Sequence, residues 1–242
     1  MHALGMTTKQ AITIRRSAER GHANHGWLDT RHSFSFGHYY DPAHMGFRSL
    51  RVINQDVVAP KGGFPTHPHD NMEIFSYVLR GALSHEDSMG NRKTLHPGEI
   101  QMMSAGSGVT HSEFNHSSDE EVELLQIWIR PSKADLEPSY AEWTPSEEQS
   151  SAAKALVISP DGREQSAVIH QDAFVHRIQL KAGESVSHEL AEGRGAWLQI
   201  IQGELRLNEA SLSAGDAAST QEAGTLKITA QTDTEALLFD LK

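Results

Sequence analysis

Two short motifs in this sequence contain residues that could bind one metal ion together. The first is the pair His67 and His69, and the second is the pair His111 and Glu113. Residues two apart on a β-strand project from the same face, so both side chains of each pair can reach one point in space. Imidazole and carboxylate groups are common ligands of divalent transition metals. If the two strands face one another, the sequence predicts a four-ligand metal site.

A second carboxylate, Glu73, competes for the fourth position in this site. It follows His69 by four residues, so it faces the same side as both histidines if one strand runs unbroken through this stretch. Spacing alone therefore leaves Glu73 and Glu113 as alternatives. The other interpretation is a polar cluster without metal, but such a cluster would leave several polar groups poorly paired.

The composition of the chain limits the other kinds of chemistry. Its 242 residues include 15 histidines and no cysteine, which excludes disulfides, thiolate metal sites and thiol nucleophiles. An excess of 32 Asp and Glu over 21 Lys and Arg disfavours direct binding to nucleic acid. No apolar run approaches the ~18 residues of a membrane span, and the first residues do not resemble a signal peptide. We expect a cytoplasmic protein that does not enter a membrane.

Short strands separated by turns dominate the predicted secondary structure. In the first half, we predict strands at 11–16, 34–36, 49–54, 73–79, 82–87, 99–103, 111–115 and 122–129. In the second half, we predict them at 155–158, 167–170, 174–180, 196–201, 204–207, 225–230 and 236–241. This spacing is typical of an antiparallel sandwich or barrel, so we predict an all-β protein.

The two halves look like diverged copies of one β-unit. Between them, residues 131–150 contain three prolines among charged and small residues, which favours a connector. We therefore predict domains at residues 1–130 and 151–242. The second domain contains neither metal-ligand motif.

The residues around both motifs resemble the pirin family of the cupin superfamily. The first cupin motif is matched by residues 63–69 together with Glu73 and Gly81. The second is matched by Pro97-Gly98 together with residues 111–115. Six further phrases match bacterial pirin-like proteins: 34–36, 40–42, 50–54, 85–91, 103–106 and 126–128. The resemblance covers nearly the whole chain and is weaker in the second half.

This resemblance implies a bicupin of two antiparallel, jelly-roll β-barrels with a single metal site in the N-terminal barrel. Carried over to this sequence, the ligands are His67, His69, His111 and Glu113. In pirins the position of Glu73 is not a ligand, which leaves Glu73 to orient a histidine or to accept a proton. The cofactor would be one divalent transition metal ion. Iron is favoured, and zinc, cobalt, nickel, manganese and copper are compatible.

Pirins are associated with quercetin 2,3-dioxygenase activity, in which dioxygen opens the ring of a flavonol and carbon monoxide is released. The implied ligands are a small flavonol-like aromatic substrate and dioxygen. The flavonol 3-hydroxyl would bind the metal as its oxyanion while Glu113 or Glu73 accepts the proton.

Two other functions fit the same sequence. One is a metal-binding, redox-sensitive regulatory protein whose partner is a transcription factor or a metabolic enzyme. The other is an enzyme for a different phenolic or sugar-derived substrate. An aromatic-lined cavity above the metal would favour an enzyme, whereas a sealed site would favour the regulatory protein.

Overall fold

Almost all regular structure in this protein is β-strand. The computed structural model describes residues 10–242. The first strands are β1 Thr13–Arg15, β2 Gly21–Asn24, β3 Leu28–His32, β4 Leu50–Val58, β5 Gly63–His69, β6 Glu73–Arg80, β7 Leu83–Asp87, β8 Arg92–Leu95, β9 Ile100–Ser104, β10 Val109–Phe114, β11 Val122–Ile129 and β12 Ser139–Trp143. The later strands are β13 Lys154–Ser159, β14 Ala167–Val168, β15 Ala173–Leu180, β16 Ser185–Leu190, β17 Gly195–Gln202, β18 Glu204–Leu207, β19 Ala210–Ser213, β20 Ala217–Thr220, β21 Gly224–Ala230 and β22 Thr234–Leu241.

Helical structure is limited to short segments. They are the helix α1 Glu147–Ser151 and the 3-10 turns Ser17–Glu19 and Arg163–Gln165. Within residues 10–242, no helix has the length and apolar character needed to cross a membrane.

Each domain consists of a seven-stranded and a four-stranded sheet, and the two domains have corresponding strand orders. In the first domain these orders are β12-β9-β6-β11-β4-β3-β2 and β5-β10-β7-β8. In the second they are β1-β20-β17-β22-β15-β13-β14 and β16-β21-β18-β19. The turns at Gly81 and Gly203 also correspond, with φ angles of 77° and 79°. The predicted all-β, two-domain cupin architecture is confirmed, although the sheets of each domain do not close into one continuous barrel.

The largest hydrophobic core lies between the two seven-stranded sheets. Phe75 and Ile127 of the first domain share this core with Trp197 and Phe239 of the second. A separate, leucine-rich core fills the inside of the second domain. The inside of the first domain contains only two smaller apolar clusters, so part of its interior remains available for a cavity.

Each large sheet has an edge strand from outside its own domain: β1 comes from the first domain, and β12 comes from the connector. β1 lies at the edge of the second domain's large sheet, where Thr13 pairs with Ser219. β12 lies at the edge of the first domain's large sheet, where Tyr140 pairs with Met103. The proposed connector therefore contains a strand and the helix α1. The division at residues 130 and 150 stays a prediction.

The predicted strand at residues 34–36 is wrong. β3 ends at His32, and the chain then runs irregularly to residue 49. Phe34 is buried between the domains, whereas Phe36 forms only a single bridge with Tyr39. The Ser35 hydroxyl accepts a hydrogen bond from the Asp41 backbone N–H at 2.8 Å, which turns the chain. Phe34 and Phe36 therefore lie in different surroundings and not on one face of a strand.

Candidate metal centre

Strands β5 and β10 bring the two motifs together. They pair antiparallel, and His111 lies directly opposite His67. A register shift between His111 and Glu113 places Glu113 opposite Phe64, so β5 carries an extra residue there. Such a bulge changes the direction of nearby side chains and is common beside functional sites.

The three imidazoles of the motifs form one compact cluster. The ring centroids of His67 and His69 are 4.8 Å apart, those of His67 and His111 are 4.5 Å apart, and those of His69 and His111 are 4.9 Å apart. The Nε2 atoms of His67 and His111 approach within 3.0 Å. The predicted convergence of these side chains is therefore present in the fold.

Burial keeps two of these imidazoles neutral. Desolvation, reinforced by the neighbouring His111 and His67, lowers the pKa of His69 to about 4. Desolvation and the neighbouring His67 and His85 lower the pKa of His111 to about 3. Both rings are thus unprotonated at neutral pH and can offer a nitrogen lone pair to a cation.

The Glu113 carboxylate is buried beside the histidines and is held at both oxygens. Its Oε1 accepts a hydrogen bond from the Ser76 hydroxyl at 2.9 Å, and its Oε2 accepts one from the Gln126 amide at 2.8 Å. Each carboxylate oxygen has two lone pairs, so these bonds orient the group without using all of its acceptor capacity. Glu113 also lies within ligand distance of His111 and His85.

Glu73 points to a different part of the molecule. Glu73 would share the face of the two histidines only if one strand ran unbroken from residue 67 to residue 73, and it does not, because β5 ends at His69 and Asn71 turns the chain with a φ of 47°. The Glu73 carboxylate accepts hydrogen bonds from the Ser104 hydroxyl at 2.6 Å and from the His170 backbone N–H at 3.1 Å. It is not among the residues that line the cavity of the site. A catalytic role for Glu73 stays a prediction without a supporting contact.

A buried row of polar groups behind His111 fixes its orientation. The Nε2 atom of His85 lies 3.1 Å from the Asp87 carboxylate, so this nitrogen carries the proton that Asp87 accepts. The Nδ1 atom of His85 then accepts from the Gln101 amide at 2.7 Å and faces His111 Nδ1 at 3.4 Å. His85 therefore packs behind the Nδ1 side of His111, and His111 Nε2 faces His67 Nε2.

The geometry fits a divalent transition metal ion. His67 Nδ1 donates to the Pro65 carbonyl at 2.8 Å, so His67 presents the lone pair of Nε2. The Nε2 atoms of His67 and His111 lie 3.0 Å apart, so both can contact one cation. His67, His69, His111 and Glu113 together offer three nitrogens and one anionic oxygen, a set suited to iron, nickel, copper, cobalt, manganese or zinc.

A cavity of about 650 Å³ borders this cluster. All four predicted ligands line it, and its other walls are largely apolar. Four aromatic side chains contribute to the lining: Phe36, Tyr39, Phe64 and Trp128. Its volume lies within the range of small-molecule sites, and the site is not sealed.

Sequence reasoning missed the polar residues of this cavity. They come from the inner faces of β3, β4 and β11: Thr30, His32, Asn54, Asp56 and Gln126. The signal that could have found them is alternation, because Leu28 and Val58 on the same strands are buried and share a face with these polar residues. Four histidines of the 21–41 segment also line the cavity: His22, His25, His32 and His38.

Trp128 lines the cavity and is not part of a fully buried core. From its strand alone we expect a buried side chain whose loss destabilises the fold, but Trp128 is only half-buried and packs edge-on against His69 at 4.9 Å. We therefore predict that Trp128→Ala lowers the free energy of unfolding by less than Ile127→Ala does. Replacing the fully buried Ile127 with alanine should lower the free energy of unfolding by about 2–5 kcal/mol. Urea denaturation of both variants checks this order, and equal losses would contradict it.

The corresponding face of the second domain has another chemistry. His188 on β16 pairs with Leu226 on β21, where the first domain pairs His67 with His111. The His188 ring is engaged by the Asp240 carboxylate at 2.9 Å and by the Lys154 ammonium at 2.9 Å.

The histidines of the second domain are distant in sequence but make contacts in the fold. The rings of His176 and His188 pack 5.3 Å apart. His170 Nδ1 lies 3.1 Å from the Ser104 hydroxyl of the first domain.

Two family models together match nearly all of the chain. The Pirin model matches residues 13–129, and the model described as the quercetinase C-terminal cupin domain matches residues 156–241. The first of these regions contains all four residues of the candidate centre.

Individual relatives are similar over their whole length. The chain is 46% identical to the quercetin 2,3-dioxygenase of Escherichia coli K12 over 95% of this chain and 98% of the relative. It is 39% identical to a pirin-like protein of Caulobacter vibrioides over 91% of this chain and 95% of that relative. Among solved structures, the bacterial pirin YhhW of E. coli in complex with nickel(II) superposes with a TM-score of 0.91 at 45% identity, over 96% of this chain and 99% of that one.

Proposed function

This chain belongs to the pirin family, and from that premise we propose that it is a metal-dependent dioxygenase that acts on a flavonol such as quercetin. In the proposed reaction, dioxygen opens the central ring of the flavonol. One ring carbon leaves as carbon monoxide, and both oxygen atoms of dioxygen enter the products. His67, His69 and His111, whose ligand atoms lie within 4.8 Å of one another, would hold the metal together with Glu113, which forms a second such group with His85 and His111.

The observation that carries this proposal is the aromatic-lined cavity beside the histidine cluster. A planar, polyphenolic substrate matches a site with aromatic walls and a few polar groups. The volume of about 650 Å³ leaves room for a three-ring molecule. A regulatory protein that only senses the state of its metal does not need such a cavity.

The residues of the chain have separable roles in this proposal. Phe36, Phe64 and Trp128 would pack against the substrate rings and exclude water from the reacting face. Glu113, oriented by Ser76 and Gln126, would accept the proton of the substrate hydroxyl at a carboxylate oxygen. When bound, the metal ion would supply Lewis acidity and a redox-active centre for dioxygen.

The direct test is turnover by metal-loaded protein. We predict that protein reconstituted with iron or nickel, with occupancy confirmed by elemental analysis, consumes oxygen and bleaches quercetin under air while carbon monoxide is released. The metal-free protein should leave quercetin at its background oxidation rate. Unchanged absorbance at full occupancy with each of the six metals compatible with the site would contradict the proposal.

A further inference from the structure

We propose that Thr30 and Asp56 form a second polar subsite in the cavity, which hydrogen-bonds a hydroxyl group of the substrate other than the one that faces the metal. The inference rests on the proposed function for the identity of the substrate. It adds a recognition element on a different sheet from the histidines, since β3 and β4 lie in the large sheet of the first domain.

Thr30 and Asp56 are neighbours on the inner face of that sheet. They are directly opposite each other on β3 and β4. Both line the cavity, and their side chains are almost fully buried, with 3% and 2% of their surface exposed. Directly opposed residues bring their Cβ atoms to about 5 Å, so one small polar group can contact both side chains.

Each of the two side chains has a buried polar atom without a hydrogen-bond partner within the described part of the chain. Thr30 Oγ1 and Asp56 Oδ1 are buried without a partner at hydrogen-bonding geometry. The pKa of Asp56 is raised to about 7, mainly by burial; the nearby Thr30 hydroxyl partly offsets this rise, and the charge of Glu113 adds to it. An unpartnered buried polar group costs about 1–3 kcal/mol. A pair of unpartnered buried groups that lowers stability is explained if a bound ligand supplies the missing hydrogen-bond partners.

The neighbouring polar groups on the same inner face are satisfied. In the next cross-strand pair, His32 Nδ1 and Asn54 Oδ1 are 2.8 Å apart. Gln126 beside Asn54 donates to Glu113. Among the residues that line the cavity, the only other buried polar atom without a partner is Trp128 Nε1 on β11, so Thr30 and Asp56 are the one directly opposed pair left incomplete.

The chemistry of this pair selects a hydroxyl group. A hydroxyl can donate its proton to an Asp56 oxygen and accept the proton of Thr30, so it completes both residues at once. A carboxylate or phosphate would instead be repelled by Asp56 and by Glu113. Polyphenols carry several ring hydroxyls, and one of them can reach the subsite while another faces the histidines.

The test compares two flavonols in a binding measurement that does not need turnover. Metal-loaded protein is titrated without oxygen with quercetin, which carries several ring hydroxyls, and with 3-hydroxyflavone, which carries only the 3-hydroxyl. Thr30→Val and Asp56→Leu should each weaken quercetin binding by about tenfold and leave 3-hydroxyflavone binding unchanged. Asp56→Asn keeps an acceptor oxygen and should retain most of the affinity. Thr94→Val, at an exposed strand outside the cavity, is the matched control.

A second readout separates binding from simple packing. Because Thr30→Val keeps the shape of the side chain, we expect the Tm of the ligand-free protein to stay within about 2 °C of the wild type while quercetin binding falls. Equal weakening of both flavonols, or no weakening of either, would overturn the subsite. If wild-type protein binds quercetin but does not consume oxygen, the proposed function fails and the subsite is still judged by the variants. If it binds neither flavonol, both proposals fall.

Discussion

Replacing His67 with alanine should abolish stoichiometric metal binding and leave the protein folded. His67 is half-exposed at the edge of the cluster, and its one hydrogen bond outside the cluster is to the Pro65 carbonyl. Its removal therefore costs little packing but deletes one of four donors. Loss of even an outer partner of a metal ligand typically costs 10–100-fold in affinity or activity, so we expect turnover to fall by at least about a hundredfold. Elemental analysis and oxygen consumption measure the two effects.

His96→Ala is the matched control for this variant, because His96 is exposed in a turn outside the candidate centre. It should retain metal, activity and Tm. Circular dichroism should show the same β-structure in both variants. Gross unfolding of His67→Ala alone would mean that the metal maintains the fold rather than a reaction.

Glu113→Gln should weaken metal binding strongly, whereas Glu73→Gln should not. In Glu113→Gln the amide oxygen can still accept from Gln126 and the amide nitrogen can donate to Ser76, so the main loss is the negative charge beside the histidine cluster. In Glu73→Gln the amide can likewise keep its contacts with Ser104 and His170. Both substitutions conserve shape and hydrogen bonding, so the pair isolates the effect of charge at each position.

Metal titration of both variants decides which carboxylate serves the metal. We expect the Kd of Glu113→Gln to rise by at least about tenfold and that of Glu73→Gln to stay within error of the wild type. The reverse order would assign the fourth ligand to Glu73. Equal losses would show that both carboxylates act on the metal.

The convergence of the metal motifs could be predicted from the sequence because it depends on local geometry. Alternation on a strand determines which side chains share a face, and this rule places His67 with His69 and His111 with Glu113. Most strands followed from the same alternation. The repetition of two similar β-units was also visible, because tight turns at Gly81 and Gly203 recur at corresponding positions.

The position of Glu73 shows the limit of the alternation rule. Parity holds only while the strand continues, and one residue in the left-handed region, Asn71, ends the continuity and sends the chain into the other sheet. Nothing in the spacing of His69 and Glu73 reveals this turn. The fourth-ligand choice therefore needed the resemblance to pirins rather than the spacing.

The cavity and the edge strands β1 and β12 could not be predicted for a different reason. Alternation places Thr30 and Asp56 on the same face as the apolar Leu28 and Val58, but only the opposite sheet makes that face the wall of a cavity. β1 and β12 pair with strands that are not their neighbours in sequence, and local sequence patterns do not report on partners so distant in the chain.

The pairing of β1 with a strand of the second domain constrains the order in which the protein can fold as it is synthesised. Thr13 must wait for Ser219, about 200 residues later, before β1 has a partner. At roughly 5–20 residues per second, that wait is about 10–40 seconds. The strands that carry the histidine cluster, β5 and β10, end at residue 114 and can pair during that interval. The nascent chain can therefore assemble its metal ligands on the ribosome well before its own first strand is placed.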